Sequence, residues 1–219
     1  RFWSTFRMGD LNGDGKADVC SRSSSGISCW LSQGDKWSSA ISGPSYSDAS
    51  GWGDVQYYST IRLADIDGDN SDDLCARDSG GFNCLLSTGS GFGTKITGPD
   101  WSTAQGFNHP QYYGTLQVAD INADRKMDVC MRTTTGMDCR LSDGKGFPTK
   151  VAGPAFSDAS GWNKPQYWAT IRMADVNGDN KADVCARSAS SLACYFSSGT
   201  SFGDAVQVAA LSDSSGWNT

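Results

Sequence analysis

The chain of 219 residues is long enough to bury a hydrophobic core as one domain. Its side chains are 38% hydrophobic, and 18 basic against 24 acidic residues give a net charge of -6. All the acidic residues are aspartate, which favours turns and oxygen-ligand sites, so a mainly helical protein is excluded. The negative charge argues against nucleic-acid binding, which needs clustered lysine and arginine. No apolar run approaches the ~20 residues of a membrane span, so no membrane span is expected.

One segment recurs four times along the chain at intervals of 55 residues. Its copies are GDLNGDGKADVC (9–20), ADIDGDNSDDLC (64–75), ADINADRKMDVC (119–130) and ADVNGDNKADVC (174–185). Such regular self-similarity is typical of repeat architectures. It predicts a single domain over 1–219 made of four repeats, at about 1–55, 56–110, 111–165 and 166–219.

Within each repeat, the pattern predicts about four short strands separated by turns. In the second repeat we expect strands at 57–64, 74–77, 82–86 and 92–96. Alternation along the first of these places Tyr57, Ile61 and Leu63 on one face. One four-stranded unit cannot bury both of its faces, so neighbouring units must stack. The sequence therefore predicts an all-β protein, a β-propeller that is either a four-bladed ring or part of a larger propeller.

The two ends of the chain correspond to two segments that follow each other directly in the repeat. The final SDSSGWNT corresponds to the segment that precedes a first strand, and the initial RFWST corresponds to that strand. We therefore expect Arg1 and Thr219 to meet in a shared blade or interface, or the ring to be completed by a second chain in a homodimer. No signal-peptide pattern follows Arg1, which predicts a processed protein or an excised domain.

The eight cysteines follow the repeat as pairs nine residues apart, and each pair is expected to form one disulfide across a hairpin. Zinc is disfavoured because its sites prefer CxxC-type spacing. Disulfides are typical of oxidising compartments, so a secreted protein is expected. The predicted pairs are Cys20 with Cys29, Cys75 with Cys84, Cys130 with Cys139, and Cys185 with Cys194.

Each repeat also carries an aspartate-rich loop whose side chains at positions 1, 3, 5 and 9 are Asp or Asn. Hard cations take six to eight oxygens, and a tight loop of this kind converges its side chains and the position-7 carbonyl on one point. Gly15 at position 6 of the first loop is expected to have a positive φ. The loops thus predict structural calcium, with metal-free polar turns as the alternative. The predicted ligands are Asp10, Asn12, Asp14, Lys16 and Asp18; Asp65, Asp67, Asp69, Ser71 and Asp73; Asp120, Asn122, Asp124, Lys126 and Asp128; and Asp175, Asn177, Asp179, Lys181 and Asp183.

The third loop departs from the pattern at its turn. Arg125 stands where the other loops have Gly or Asn, which brings a cation near the site. We expect this loop to bind calcium more weakly than the others, or not at all.

The segment DLNGDGKADV, with later aromatic-glycine and Gly-Pro elements, resembles the FG-GAP/VCBS repeat of integrin α-subunit propellers and of Psathyrella velutina-type fungal lectins. The resemblance covers essentially the whole chain. It implies a propeller whose blades bind calcium in the DxDxDGxxD loop, which Asp10 to Asp18 match position by position, and glycan binding in pockets between blades. Those propellers usually have seven blades, and the hairpin cysteine pair is not part of their motif.

A carboxylate and an indole recur together in the SDASGW-type segments. A carboxylate accepts sugar hydroxyls and an indole stacks on a sugar ring, so these pairs are candidate glycan sites. The alternative is that the tryptophans fill the space between blades. The third copy, with Thr103 and Phe107, lacks both groups. The candidate residues are Asp48 and Trp52, Asp158 and Trp162, and Asp213 and Trp217.

An arginine follows the first cysteine of each repeat by two residues: Arg22, Arg77, Arg132 and Arg187. Such a side chain can grip an acidic glycan in bidentate fashion. Pairing with a nearby aspartate is the favoured interpretation.

These patterns predict a secreted, calcium-stabilised lectin whose partners are glycans or glycoproteins. His109 is the single histidine, which makes a catalytic triad or a zinc site implausible and favours a non-enzyme. The alternatives are a non-catalytic interaction or accessory module of a larger secreted protein and, less favoured, a glycan hydrolase or lyase using aspartates alone.

Overall fold

The computed structural model describes residues 2–217, apart from the side chain of Ala209. These residues form sixteen strands in four sheets, and each sheet consists of four antiparallel strands consecutive in the chain. We call the four sheets the first to fourth blades. The predicted all-β architecture of four-stranded repeats is confirmed. Arg1 and Thr219, where the sequence predicts a junction, lie outside the described residues.

The strands of the first two blades are β1 (Arg7–Gly9), β2 (Asp18–Arg22), β3 (Ile27–Trp30), β4 (Ile41–Ser42), β5 (Arg62–Ala64), β6 (Asp73–Asp78), β7 (Gly81–Ser87) and β8 (Phe92–Thr97). Those of the last two are β9 (Gln117–Ala119), β10 (Asp128–Arg132), β11 (Met137–Leu141), β12 (Thr149–Ala152), β13 (Arg172–Ala174), β14 (Asp183–Arg187), β15 (Leu192–Tyr195) and β16 (Val206–Ala209). Three helical turns precede blades, namely α1 (Val55–Tyr58), α2 (Pro110–Tyr113) and α3 (Pro165–Trp168), and short 3-10 turns cover Phe2–Thr5 and Asp213–Ser215.

The strand predicted over 57–64 is wrong in its first half, because Tyr57 and Tyr58 belong to helix α1 and β5 begins only at Arg62. The carboxylate of Asp54 caps this helix by accepting from the backbone amide of Gln56. The hydroxyl of Thr60 then donates to the Tyr57 carbonyl at 2.7 Å and accepts from the Arg77 amide at 2.9 Å. The turn is thereby tied to β6.

The cysteines lie directly opposite each other on the two central strands of every blade. All four predicted disulfides are present, each linking residues nine apart. Each bond therefore closes the central hairpin of its blade across one register pair.

The chain divides into two compact units, Arg1–Asn108 with Asp143–Gly146, and His109–Ser142 with Phe147–Thr219. The first unit contains the first two blades, and its core, which we call the first core, lies between them. Leu11, Trp52 and Tyr46 of the first blade pack there with Ile61 and Leu74 of the second.

The second unit contains the third and fourth blades and has its own core, the second core, built mainly from the equivalent positions of the repeat. Ile121, Phe156 and Trp162 of the third blade pack there with Ile171 and Val184 of the fourth. In both units an apolar face of one blade thus covers the opposite apolar face of the next. Among the described residues, no helix is long and apolar enough to cross a membrane.

Candidate functional site: the aspartate loops

The aspartate loops connect the first and second strands of every blade, and the first aspartate of each organises its backbone. One oxygen of Asp10 accepts from the Gly13 amide at 2.8 Å, and the other accepts from the Gly15 amide at 2.7 Å. The same two bonds recur at Asp65, Asp120 and Asp175. The bonds fold each loop back around its own carboxylates, as in the polar turns of the alternative interpretation.

The ninth position has a role that the sequence analysis missed. Asp73 is fully buried, and its two oxygens accept from the amides of Ile66 at 3.0 Å and Ser87 at 2.7 Å. The equivalent aspartates make the same pair of bonds in the other blades. The spacing of these amides, seven residues before and fourteen after, repeats in every copy, but nothing in composition singles it out. This carboxylate therefore ties the loop to the third strand of its blade.

The second loop places three carboxylates together. One oxygen each from Asp65, Asp67 and Asp73 lies within 4.8 Å of the others, a donor set suited to a hard cation. Burial, with a smaller contribution from Asp69, raises the pKa of Asp67, and burial raises the pKa of Asp73 to about 7. A bound cation would compensate the crowding of these charges.

The other loops carry less negative charge. They have Asn at position 3 instead of Asp, and a lysine at position 7 that pairs with the position-5 aspartate. In the first loop, for example, the Lys16 ammonium lies 2.9 Å from an oxygen of Asp14. Ser71 occupies position 7 of the second loop. The second loop is thus the one whose residues fit a divalent cation best.

The backbone at position 6 has a positive φ in all four loops, as predicted for Gly15. In the third loop both Ala123, at φ 63°, and Arg125, at φ 68°, adopt this left-handed conformation. The departure of the third loop is therefore larger than Arg125 alone indicates, since its position 4 also lacks glycine. The left-handed region disfavours residues with a Cβ, so this loop stores conformational strain.

In the second unit, the loops of the third and fourth blades enclose a groove of about 640 Å³. The Ala182 amide of the fourth blade donates to the Asp120 carbonyl of the third at 2.7 Å, which joins the two loops. The groove combines carboxylates, an amide, a guanidinium and an apolar side chain. Its lining residues are Asp120, Ala123, Arg125, Met127, Asp175 and Asn180.

The four repeat arginines are buried, and three of them pair with aspartate as predicted. Arg22 donates to Asp48 at 2.9 Å. Arg132 pairs with Asp158, and Arg187 pairs with Asp213. In the second repeat, which lacks the aspartate, Arg77 donates to the Thr103 hydroxyl at 3.1 Å.

A tyrosine completes this network in the second unit. The Tyr112 hydroxyl donates to the second oxygen of Asp158 at 2.7 Å, and that of Tyr167 donates to Asp213 at 2.5 Å. The hydrogen bond to Asp213 raises the pKa of Tyr167, and the hydrogen bond from Tyr167 lowers the pKa of Asp213. These two aspartates thus hold buried arginines in place.

The tryptophans proposed as sugar platforms lie in different surroundings. Trp52 is buried and stacks on Tyr46 with ring centroids 3.6 Å apart, and Trp162 is buried and stacks on Phe156 at 3.8 Å. Trp217 is exposed. The packing of Trp52 and Trp162 agrees with the alternative in which tryptophans fill the space between blades. A glycan role for the aspartate–tryptophan pairs stays a prediction, and the geometry of these two rings gives it no support.

Part of the chain matches a known protein family. Residues 10–76 match the family model described as FG-GAP-like repeat, which confirms the resemblance drawn from the aspartate loops. A search of curated proteins finds no match.

Solved structures share the fold. An Agrocybe aegerita lectin that recognises non-reducing terminal N-acetylglucosamine matches with a TM-score of 0.83 and 22% identity, over 96% of this chain and 53% of the lectin chain. A Photorhabdus luminescens Tc holotoxin pore matches with a TM-score of 0.61 and 19% identity, over 93% of this chain and 9% of that chain. The chain therefore spans about half the length of the lectin chain. At these identities the likeness shows the fold alone, and function has to be argued from sites.

Proposed function

We propose that the chain is a calcium-stabilised carbohydrate-binding module of a secreted protein, and that it binds glycan without catalysis in the groove of the second unit. The observation that carries the proposal is the groove itself, which is lined by charged and polar residues together with the apolar Met127. A sugar presents hydroxyls to donors and acceptors and an apolar ring face to a hydrophobic side chain. Polar groups placed around an apolar surface are typical of small-ligand sites.

The fold supports this assignment as an analogy. The lectin that shares it recognises N-acetylglucosamine. The four disulfides support secretion, since such bonds persist in oxidising compartments.

Calcium would be held by the aspartate loops, with the second loop as the strongest site. Its three converging carboxylates supply the oxygen ligands that calcium prefers. Asp120 and Asp175 belong both to the predicted calcium ligands and to the walls of the groove. Calcium would therefore fix the groove in the shape that binds a glycan, without itself taking part in a reaction.

A glycan array probed with the purified chain, with and without a calcium chelator, tests the proposal. We expect binding to a defined set of glycans that chelation abolishes. The variant Arg125→Gly removes the guanidinium from the groove and also relieves a left-handed residue, so it should stay folded while affinity falls about tenfold, the value of one charged hydrogen bond.

The matched control is Asn70→Gly, which makes the same backbone change at the equivalent position of the second loop, where φ is 71°. It should leave glycan affinity unchanged. Failure of the chain to bind any glycan, or full affinity in Arg125→Gly, would contradict the proposal.

A further inference from the structure

One face of the first blade is apolar and exposed, and it forms a cleft of about 480 Å³. The cleft is lined by Phe6, Val19, Trp30 and Trp37, which we call the leading face. Phe6 is 53% exposed and Trp37 is 50% exposed. Large aromatic side chains grouped on a surface in this way mark an interaction site.

The repeat shows what covers this face elsewhere in the chain. In the second blade the equivalent residues, 55 positions later, all lie in the first core: Ile61, Leu74, Leu85 and Phe92. In the fourth blade the equivalents all lie in the second core: Ile171, Val184, Tyr195 and Phe202. In both units the preceding blade covers the leading face, so that Ile61 and Ile171 are each only 1% exposed.

The opposite face of the fourth blade is partly exposed as well. Its residues Val176, Leu192, Leu211 and Trp217 form what we call the trailing face, where Val176 is 51% exposed. Their equivalents in the first blade are Leu11, Ile27, Tyr46 and Trp52, all in the first core. Their equivalents in the third blade are Ile121, Met137, Phe156 and Trp162, all in the second core.

The described residues therefore present both halves of a contact that is made inside each of the two units. In each internal contact, the trailing face of one blade, such as the face that contains Leu11, packs on the leading face of the next, such as the face that contains Ile61. Both faces are apolar. Burying such surface against its own counterpart is favourable in proportion to the area removed from water.

We propose that a second copy of this chain docks the trailing face of its fourth blade on the leading face of the first blade. Each copy has one face of each kind, so a pair of copies joined through two such contacts is the smallest assembly between copies that leaves neither face exposed, and the proposed assembly is this dimer. The proposal rests on the repeat and the exposed faces, and it is independent of glycan binding.

The mass of the chain in solution tests the dimer. Light scattering on the eluting protein should give twice the 23.3 kDa of one chain, and dilution should expose Trp37 and Trp217 and shift tryptophan emission to longer wavelength. A monomer at every concentration up to the highest soluble one would overturn the proposal.

Variants on the two faces test the contact. Phe6→Asp and Val176→Asp each place a charge in an apolar contact, while both positions are half exposed in the single chain and should tolerate the change. Each variant should be monomeric, with an unchanged circular-dichroism spectrum. The matched control is Val55→Asp, at a valine 47% exposed that lies on neither face, which should remain a dimer.

A mixture of the two variants decides whether the contact joins unlike faces. In the mixed pair, the intact leading face of Val176→Asp meets the intact trailing face of Phe6→Asp, so one of the two contacts is restored. We expect the mixture to form a dimer weaker than that of the natural chain. Dimers of either variant alone, or no dimer in the mixture, would overturn the proposed contact.

Discussion

At the scale of a single residue, the carboxylate at the ninth position of each aspartate loop combines a structural role with a predicted role as a metal ligand. In the second loop Asp73 accepts from two backbone amides and also lies with Asp65 and Asp67 in a cluster of carboxylates suited to a hard cation. Hydrogen bonds to a charged acceptor contribute more than neutral ones. The residue is therefore structural even before any metal binds.

Asp73→Ala should lower the free energy of unfolding by about 3 kcal/mol, because one buried and one partly buried amide lose their acceptor. The loss should be present in chelator as well as in calcium, as measured by urea unfolding in both solutions. The matched variant Asp67→Ala removes a carboxylate with fewer backbone partners, so it should lose only the stabilisation that calcium adds. Equal losses of unfolding free energy in the two variants, in chelator as well as in calcium, would contradict the structural role of Asp73.

The buried arginines give a second prediction at this scale. Asp158→Ala leaves the guanidinium of Arg132 buried without its carboxylate, and should lower the free energy of unfolding by about 2 kcal/mol. Thr103→Asp supplies the missing carboxylate beside Arg77 and should raise the melting temperature. The control is Asp204→Ala, at an exposed aspartate, which should change neither. A destabilising Thr103→Asp would show that the second repeat has adapted to the hydroxyl.

Residue identity alone predicted part of this chemistry. The arginine–aspartate pairing follows from burying a cation next to a recurring carboxylate, and the structure confirms it for Arg22, Arg132 and Arg187. The hydrogen bonds of Asp73 to the backbone were not predictable from spacing, because its partners Ile66 and Ser87 act through backbone amides that any residue supplies.

At the scale of elements, the central hairpin of each blade is defined by its disulfide. Cys75 and Cys84 face each other on β6 and β7, and both are fully buried. A crosslink of this kind stabilises the fold chiefly by restricting the unfolded chain.

Replacing both residues, Cys75→Ala with Cys84→Ala, should lower the free energy of unfolding by ~2.5 kcal/mol, as expected for a loop of nine residues. Thermal unfolding with and without reductant measures the effect. Reductant should then lower the melting temperature of the variant less than that of the natural chain. An unchanged melting temperature in the variant would mean that the hairpin is already restricted in the unfolded state.

The helical turns show where element prediction failed. The aromatic pairs before each blade suggest alternation on a strand, but Pro110 and Pro165 stand in the first turns of α2 and α3, where proline is favoured. Those prolines are the feature of the sequence that indicates a helix start rather than a strand. In the second repeat the equivalent position is Val55, so this indication is absent and only the cap by Asp54 remains.

At the scale of the whole molecule, the repeat predicted the blades but not whether a given position is buried or exposed in each copy of the repeat. Trp52 and Trp217 occupy the same position of the repeat, yet the first is buried and the second is 56% exposed. The difference depends on which blade face lies next to each ring. Periodicity in the sequence carries no information about that neighbour at the two ends of a repeat array.

Calcium should act on the whole molecule as a ligand of the folded state. Each calcium site adds about 2.7 kcal/mol to the free energy of unfolding when the free calcium concentration is 100 times the Kd of that site. Chelation should therefore lower the melting temperature by an amount that grows with the number of filled loops.

Calorimetric titration should give three or four ions per chain, with the second loop filling first because its carboxylates converge and Ser71 replaces the lysine. The variant Asp67→Asn gives that loop the asparagine of the other three, and should weaken the first binding step while leaving the later ones unchanged. A titration without heat, together with a melting temperature insensitive to chelator, would mean that the loops are held by their own backbone hydrogen bonds and bind no calcium.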